Sequence, residues 1–498
     1  MSAKLSRRNL VRGTSVLIGA AMVGPLLAAC AGSNAAATPA PSSAAPTKAV
    51  ATQPSGQATA SSAASAPMTT PGGATPATSN TVTSSGSQQI TWWHHWAGQP
   101  GKQQVFTEFI SDYAKVKPNV KINLRWWDKA AMYPVAKDAF IAGEGFPDIM
   151  YAPPDEFITA GWYEDLQTIL DWTQFNDGAL QRCIRTLGGK QGMWDPPLEG
   201  NSEEIYYNPK IFDKVGVSVP ASRQFTSEEF YSMSVEIRKA GFDPFAQGIG
   251  DRSGPGFDIS WYALLTVLGG DAARKLLEGN LSWTTEGVSE ALNWVAKMCK
   301  IPCMPPTFST LTLAESHQYF NTPPPGKDLP RAAMFMVGAW YTGRAFQSPA
   351  QGGEPDDFRC GFLKYPTFTD GKGNGLMWGA GGSGGGSVAS GSKVRDAANE
   401  AIRSFMSVTT GTRWLAEAFE PTELKTDPNL QVKARGDYDW YFKLYDETHK
   451  GQQYVTESYT TPPALTQAIT AALNEGLPEN QITVDKAIEL LEAARKQK

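Results

Sequence analysis

Gln89-Ile90-Thr91-Trp92-Trp93, Lys121-Ile122-Asn123-Leu124-Arg125-Trp126 and Asp148-Ile149-Met150-Tyr151 are three short apolar runs separated by stretches of helical spacing. The first reads as a strand that breaks at Ala97-Gly98-Gln99-Pro100-Gly101. Val105, Phe106, Phe109, Ile110 and Tyr113 then recur on one face of a helix, and a second helix covers about 130–142. Strands alternating with helices at this spacing predict βαβ units, a parallel sheet and an α/β fold. Ligands of such sheets sit outside the carboxyl ends of the strands. Function is therefore expected in the loops after Trp93 and Tyr151 and near a later glycine-rich strand.

Working outward, the chain has 498 residues, a length that fits two to four domains. Its formal charge of −5 hides an uneven distribution. Residues 1–87 contain no Asp or Glu and only Lys4, Arg7, Arg8, Arg12 and Lys48, so 88–498 carries 39 basic and 49 acidic residues, a net of −10. An acidic folded region gives no electrostatic footprint for nucleic acid. Five cysteines are too few for a disulfide scaffold.

The N-terminal 29 residues read as a signal peptide. Arg7-Arg8 precede an uncharged apolar run from Thr14 to Ala29, shorter than the roughly 20 residues a spanning helix needs. Paired arginines there resemble the twin-arginine export signal. The run ends in Leu27-Ala28-Ala29-Cys30, which resembles a lipobox, and this makes Cys30 the expected lipid-bearing residue. Residues 31–87 are Ala, Ser, Thr, Pro and Gly almost throughout, too poor in apolar side chains to offset ordering entropy. As a flexible coil, with Cys30 at its head, this tether would span very roughly 40–45 Å.

Several stretches in order resemble the extracellular solute-binding proteins of carbohydrate ABC importers, the maltose-binding-protein-like family 1. They are Pro147-Asp148-Ile149-Met150-Tyr151 with Asp155 and Ala160-Gly161-Trp162, then Ile205-Tyr206-Tyr207-Asn208-Pro209, then Ala332-Ala333-Met334 through Gly338-Ala339-Trp340. Gly381-Gly382 with Ser392-Lys393, and Thr483-Val484-Asp485-Lys486-Ala487, complete the series. The resemblance covers essentially all of 88–498 and implies a periplasmic-binding-protein-like fold, two α/β lobes joined by a hinge of several crossovers with the ligand cleft between them. Matching segments place one lobe at 88–199 plus 376–428 and the other at 200–375 plus 429–498. It further implies a non-catalytic, monomeric receptor, held outside the membrane by lipid on Cys30, that delivers a sugar or oligosaccharide to permease subunits.

A sugar site needs flat rings for the apolar faces of the pyranose and fixed polar partners for its hydroxyls. In Trp92-Trp93-His94-His95-Trp96, alternation sends His94 and Trp96 to one side and His95 to the other, so the two histidines diverge and chelate poorly. Trp93-His94 match the family's dipeptide at the cleft, which makes His94, His95 or Trp96 candidates for ligand contact and leaves Trp92 and Trp93 as core. Asp148 is expected to order its own loop. Asp155 matches a family acid that accepts from sugar hydroxyls, whereas Glu156 departs from the arginine found beside it. Trp340 matches the family's stacking tryptophan. Asn201, Tyr206, Trp261 and Trp378 are further candidates, and Gly381 and Gly382 would let backbone approach the ligand.

No cofactor or metal site is implied. The glycine run 379–386 lacks the ending of a phosphate loop, and Cys183, Cys299, Cys303 and Cys360 permit three pairings with no histidine pair nearby. The alternative function is a secreted lipoprotein glycosidase with Asp155 and Glu203 or Glu204 as its carboxylate pair.

Overall fold

The computed structural model describes residues 87–200, 202–250, 259–345, 359–379, 383–430, 443, 453–456 and 461–497. The three opening runs form strands β1 (Gln88–His94), β2 (Val120–Trp126) and β3 (Ile149–Met150), with the helices Pro100–Val116 and Lys129–Ala142 between them. β1 lies parallel to both β2 and β3, so the order β11-β3-β1-β2 contains the expected βαβ units. The fourth strand, β11 (Ser387–Val388), returns from far along the chain and pairs antiparallel with β3. The face carrying Trp92 and Leu124 is closed by the helices Pro100–Val116 and Arg395–Phe405. There Trp92, fully buried, meets Phe106 and Phe405 edge-on at 5.2 and 5.3 Å. Each such pair contributes about 0.5–1.5 kcal/mol beyond area burial. Asp148, half-buried, orders the β3 entry. Its carboxylate accepts from Thr91 N and Oγ1 at 2.7 and 2.8 Å and from Ser392 Oγ at 2.6 Å.

A hairpin, β4 (Arg185–Leu187) and β5 (Lys190–Gly192), follows in the same lobe. Its two-residue turn Gly188-Gly189 takes positive φ at both positions, which only glycine adopts without strain.

The second lobe is built on β6 (Glu203–Tyr207), β7 (Asp243–Phe245), β8 (Ala332–Gly338) and β9 (Gly361–Leu363), in the order β7-β8-β6-β9. β7 and β8 are parallel, but β6 runs antiparallel to β8 and β9. This sheet is therefore mixed rather than a run of βαβ units. One face packs on the large apolar core that includes the helices Ile259–Leu268 and Val288–Cys299; the other covers Tyr206, Phe335, Tyr341 and Phe362.

β10 (Leu376–Gly379) pairs in parallel with β12 (Gln453–Thr456). Met377 and Trp378 belong to the second lobe's core, so the chain returns to the first lobe beyond Gly379 and not at 376 as expected. Among the described residues no helix is long and apolar enough to cross a membrane. The side chains of Cys183, Cys299, Cys303 and Cys360 are all buried, and none of them is in a disulfide. Cys30, the expected lipid carrier, lies outside the described residues.

Candidate functional site

Two stretches of chain pass between the lobes, and a loop of the first lobe that reaches the second pairs with the first of them. Antiparallel bridges join Pro197 to Gly384, Glu199 to Thr422 and Ser202 to Gly379. Gly200 donates to the Pro421 carbonyl at 2.8 Å, and a side chain at 200 would run into the Thr422 backbone, so glycine is required for this close approach. Phe419 takes φ +56°, a left-handed value uncommon outside glycine and asparagine, where that loop meets the second lobe's core and turns back to the first.

The first lobe's wall is made by the ends of β1, β2 and β3. β1 stops at His94, so His95 leaves the strand and alternation no longer applies. The two imidazoles do not diverge; they stack at 5.9 Å. His94 and Trp96 are fully buried and belong to the core behind the wall. His94 Nε2 meets the Gly384 carbonyl at 3.2 Å, and burial, reinforced by the Lys102 charge, holds its pKa well below the usual value, so the ring is neutral. His95 is half-buried and lies 4.1 Å from the Tyr151 ring, between centroids. Trp92 and Trp93 are core residues, as expected, with Trp93 tilted against Trp127 at 4.5 Å and Arg125 lying 3.8 Å over Trp127.

Asp155 begins the short helix Asp155–Thr159 and accepts from Arg185 Nη1 at 2.7 Å. Asp195, which sequence reasoning missed, has a pKa raised to about 7 by burial, against the pull of Arg185 and the backbone N–H of Gly384 and Gly386. Its Oδ2 accepts from Gly384 N at 3.4 Å, while Oδ1 is buried with no protein partner among the described residues. Burial likewise raises the pKa of Tyr151 and Tyr133, both of which also feel the Asp195 charge. Asp155, Arg185, Asp195, Tyr133, Tyr151 and His95 thus form one polar and aromatic group. The signal for Asp195 was faint: an acid directly before the Pro196-Pro197 run that enters the first crossing.

The second lobe's wall follows the ends of β7 and β8. Gln247 comes just after β7 and its amide donates to the Met336 carbonyl. Trp340 follows β8, half-buried, with its ring laid over Gly338, where any side chain would collide with it. His317 stacks behind Trp340 at 5.8 Å and Arg344 lies over the ring at 5.5 Å. Burial, and secondarily the Arg344 charge, lowers the His317 pKa well below the usual value, so this ring too is neutral. The wall adjoins the crossings through Ala339, whose N–H donates to Ser202 O at 2.8 Å.

Tyr206 and Trp378, expected as stacking platforms, are instead core residues. Tyr206 is fully buried between Tyr341 and Phe362, and Trp378 is buried with its Nε1 donating to the Trp261 carbonyl at 3.2 Å. Trp261 itself is half-buried. Asn201, Gly381 and Gly382 lie outside the described residues. Two of the carboxylates named for a glycosidase are engaged elsewhere: Asp155 is paired with Arg185, and Glu204 is fully buried on β6 with Ser202 Oγ donating to it. Among the described residues no group of three or more His, Cys, Asp or Glu side chains is placed to hold a metal ion.

Two α/β lobes, paired crossings between them and walls at the strand ends define a periplasmic-binding-protein-like architecture. The chain belongs to the bacterial extracellular solute-binding protein family, whose model matches residues 97–411. No curated protein sequence matches it significantly. Among solved structures, it is similar to a protein described in work on xylan utilization by Caldanaerobius polysaccharolyticus, at 23% identity and TM-score 0.65 over 81% of this chain and 99% of that one. A chitin oligosaccharide binding protein matches at 19% identity and TM-score 0.65, over 82% and 98% of the two chains. The cyclic alpha-maltosyl-1,6-maltose binding protein of Arthrobacter globiformis matches at 16% identity and TM-score 0.60, over 83% and 100%. These likenesses establish the fold, the family match establishes a solute-binding receptor, and neither supports the glycosidase alternative.

Proposed function

We propose that this receptor captures a carbohydrate between its lobes and hands it, uncleaved, to the permease of an ABC importer. The observation that carries the reading is the pairing of two unlike walls on one set of crossings. Trp340, held flat by His317 and Arg344, offers a ring to the apolar face of a pyranose. Asp155, Asp195, Tyr151 and His95 offer fixed polar partners of the kind hydroxyls need. The solved structures bearing the fold include a chitin oligosaccharide binding protein and a maltosyl-maltose binding protein, which supports the ligand class.

In this reading Asn201, Trp261, Gly381 and Gly382 contribute further contacts, and the protein acts as a monomer. Lipid on Cys30 and the tether through residue 87 hold it at the outer face of the membrane. Cys30→Ala should release the protein from membranes; continued anchoring would refute lipidation there.

Calorimetry against a panel of mono- and oligosaccharides tests the central claim. Saturable binding with the sugar recovered intact is expected. Release of cleaved product, abolished by Asp155→Asn, would overturn the non-catalytic reading, and no binding by any sugar would overturn the ligand class.

A further inference from the structure

The crossings carry a buried charge cluster that ligand chemistry does not explain. Lys102, on the helix Pro100–Val116, is 3% exposed, and its ammonium sits 2.7 Å from Glu199 Oε1 and 2.9 Å from Glu420 Oε1. It lies 4.3 Å over the Trp96 ring and 5.4 Å from that of Trp414. Glu199 is on the first crossing and Glu420 on the loop that reaches the second lobe, and both are nearly fully buried. Ser383, on the second, reaches Glu199 Oε2 at 3.5 Å. One ammonium of the first lobe therefore ties the first crossing to the loop that reaches the second lobe.

The tie extends into the second lobe. The Glu420 carboxyl packs against Gly343, at a point so close that any side chain there would displace it. Beside it, Thr342 Oγ1 donates to the Phe419 carbonyl at 2.6 Å. A polar cluster this deeply buried must be satisfied within itself, because water cannot compensate a group left unpaired.

We propose that Lys102, Glu199 and Glu420 form a proton-dependent latch that holds the two lobes in the arrangement seen here. Lys102 acts as the positioning residue. Its ammonium balances the Glu199 carboxylate, and Glu420 joins them as the neutral acid, sharing its proton with Glu199. Burial, with the Glu199 charge added and Lys102 opposing, raises the Glu420 pKa well above the ordinary carboxyl value. The groups facing Glu420 are Lys102 from the helix, Glu199 from the first crossing and the uncharged backbone of Gly343 from the second lobe. Tyr151 and Asp195 also feel the Glu199 charge, and the buried Glu417 precedes Glu420 on its own segment.

The sign follows from linkage. The latched form holds a proton that a hydrated Glu420 gives up, so rising pH disfavours the latched arrangement, by at most about tenfold per pH unit between the ordinary and the raised pKa. Glu420→Gln keeps a neutral side chain and removes the titration. Lys102→Met strands the Glu199 carboxylate and loosens the latch at every pH. The triple change Lys102→Met, Glu199→Gln, Glu420→Gln removes the charge imbalance and restores a single lobe arrangement.

The test uses the full chain without ligand, so it stands apart from the sugar reading. Spin labels at Val116→Cys and Leu490→Cys, exposed sites on the two lobes, report the interlobe distance from about pH 5 to about pH 8. The native described cysteines are buried and are not labelled. Expected are a second distance population in the wild type that grows with pH, one pH-independent population in Glu420→Gln, and a broadened distribution in Lys102→Met that the triple variant narrows. Identical distributions for the wild type and Glu420→Gln across the pH range would overturn the proposal, even if Lys102→Met failed to fold.

Discussion

The two walls differ in what they bury. The first lobe puts carboxylates and tyrosines at its strand ends and keeps Asp195 partly unsatisfied, a state that costs stability. The second lobe puts a tryptophan there and backs it with a neutral imidazole. One wall is built to orient hydroxyls and the other to supply area. If that division is right, substitutions in the second wall change affinity with little effect on stability, and substitutions in the first change both.

The largest expected effect is on the second wall. Trp340→Ala removes the flat surface and should weaken sugar binding by about 2–3 kcal/mol, the range for a central aromatic contact. Trp340 is half-buried and covers only the rim of its core, so the thermal midpoint should move little. Calorimetry and a melting curve on the same preparation separate the two quantities. Unchanged affinity would remove Trp340 from the site and break the comparison.

Asp195→Asn probes the first wall in the opposite sense. The folded-state pKa of Asp195, about 7, lies above the unfolded value near 3.9. Above pH 7 the carboxyl is ionised in both states and folding bears the full burial penalty. That penalty is relieved as pH falls from about 7 toward 3.9, where only the folded form keeps its proton. The amide never ionises, so Asp195→Asn should raise the midpoint at about pH 8 by roughly 2–4 °C while weakening ligand binding by about 1–2 kcal/mol. A variant that gains stability with full affinity would show that Asp195 serves no ligand.

Much of the first lobe was legible because helix and strand periods are local. β1, β2, β3 and the two helices between them lie where the apolar spacing puts them. Strand direction is not local, which is why the antiparallel β6 and the mixed second sheet escaped the βαβ reading. His94 and Trp96 were misassigned for a related reason. Alternation sets which face a side chain takes, but whether that face meets solvent or a helix depends on Pro100–Val116 and Arg395–Phe405 packing over it. The return crossing was placed early because Leu376-Met377-Trp378 is an apolar run that either core could accept; pairing with β12 decides it. Asp195 lies in a stretch with no period at all, and only its burial marks it.

Asp148→Ala tests whether the first lobe's polar groups outside the site are structural. Removing a carboxylate that accepts from Thr91 N, Thr91 Oγ1 and Ser392 Oγ takes away three hydrogen bonds at part-buried donors. Denaturant unfolding should show a loss of about 1–3 kcal/mol, with sugar affinity unchanged in the fraction that remains folded. A parallel loss of affinity would mean that the β3 loop and the wall are not separable.

The smallest effect belongs to the ring behind Trp340. His317→Phe keeps an aromatic backing, so affinity should stay within about twofold, a change of roughly 0.4 kcal/mol. Its acid response is the sharper readout. The folded pKa of His317 is lowered by burial, and the unfolded value is near 6.5. Below about pH 6.5 the unfolded chain takes up a proton that the folded chain refuses, so this contribution to stability is present above that pH and is lost as pH falls. Phenylalanine cannot titrate, and the drop in thermal midpoint between about pH 7.5 and pH 5 should shrink. It should not vanish, because His94 is neutral and buried in the first lobe for the same reason. The acid sensitivity that survives in His317→Phe therefore contains the contribution of His94 in the first lobe.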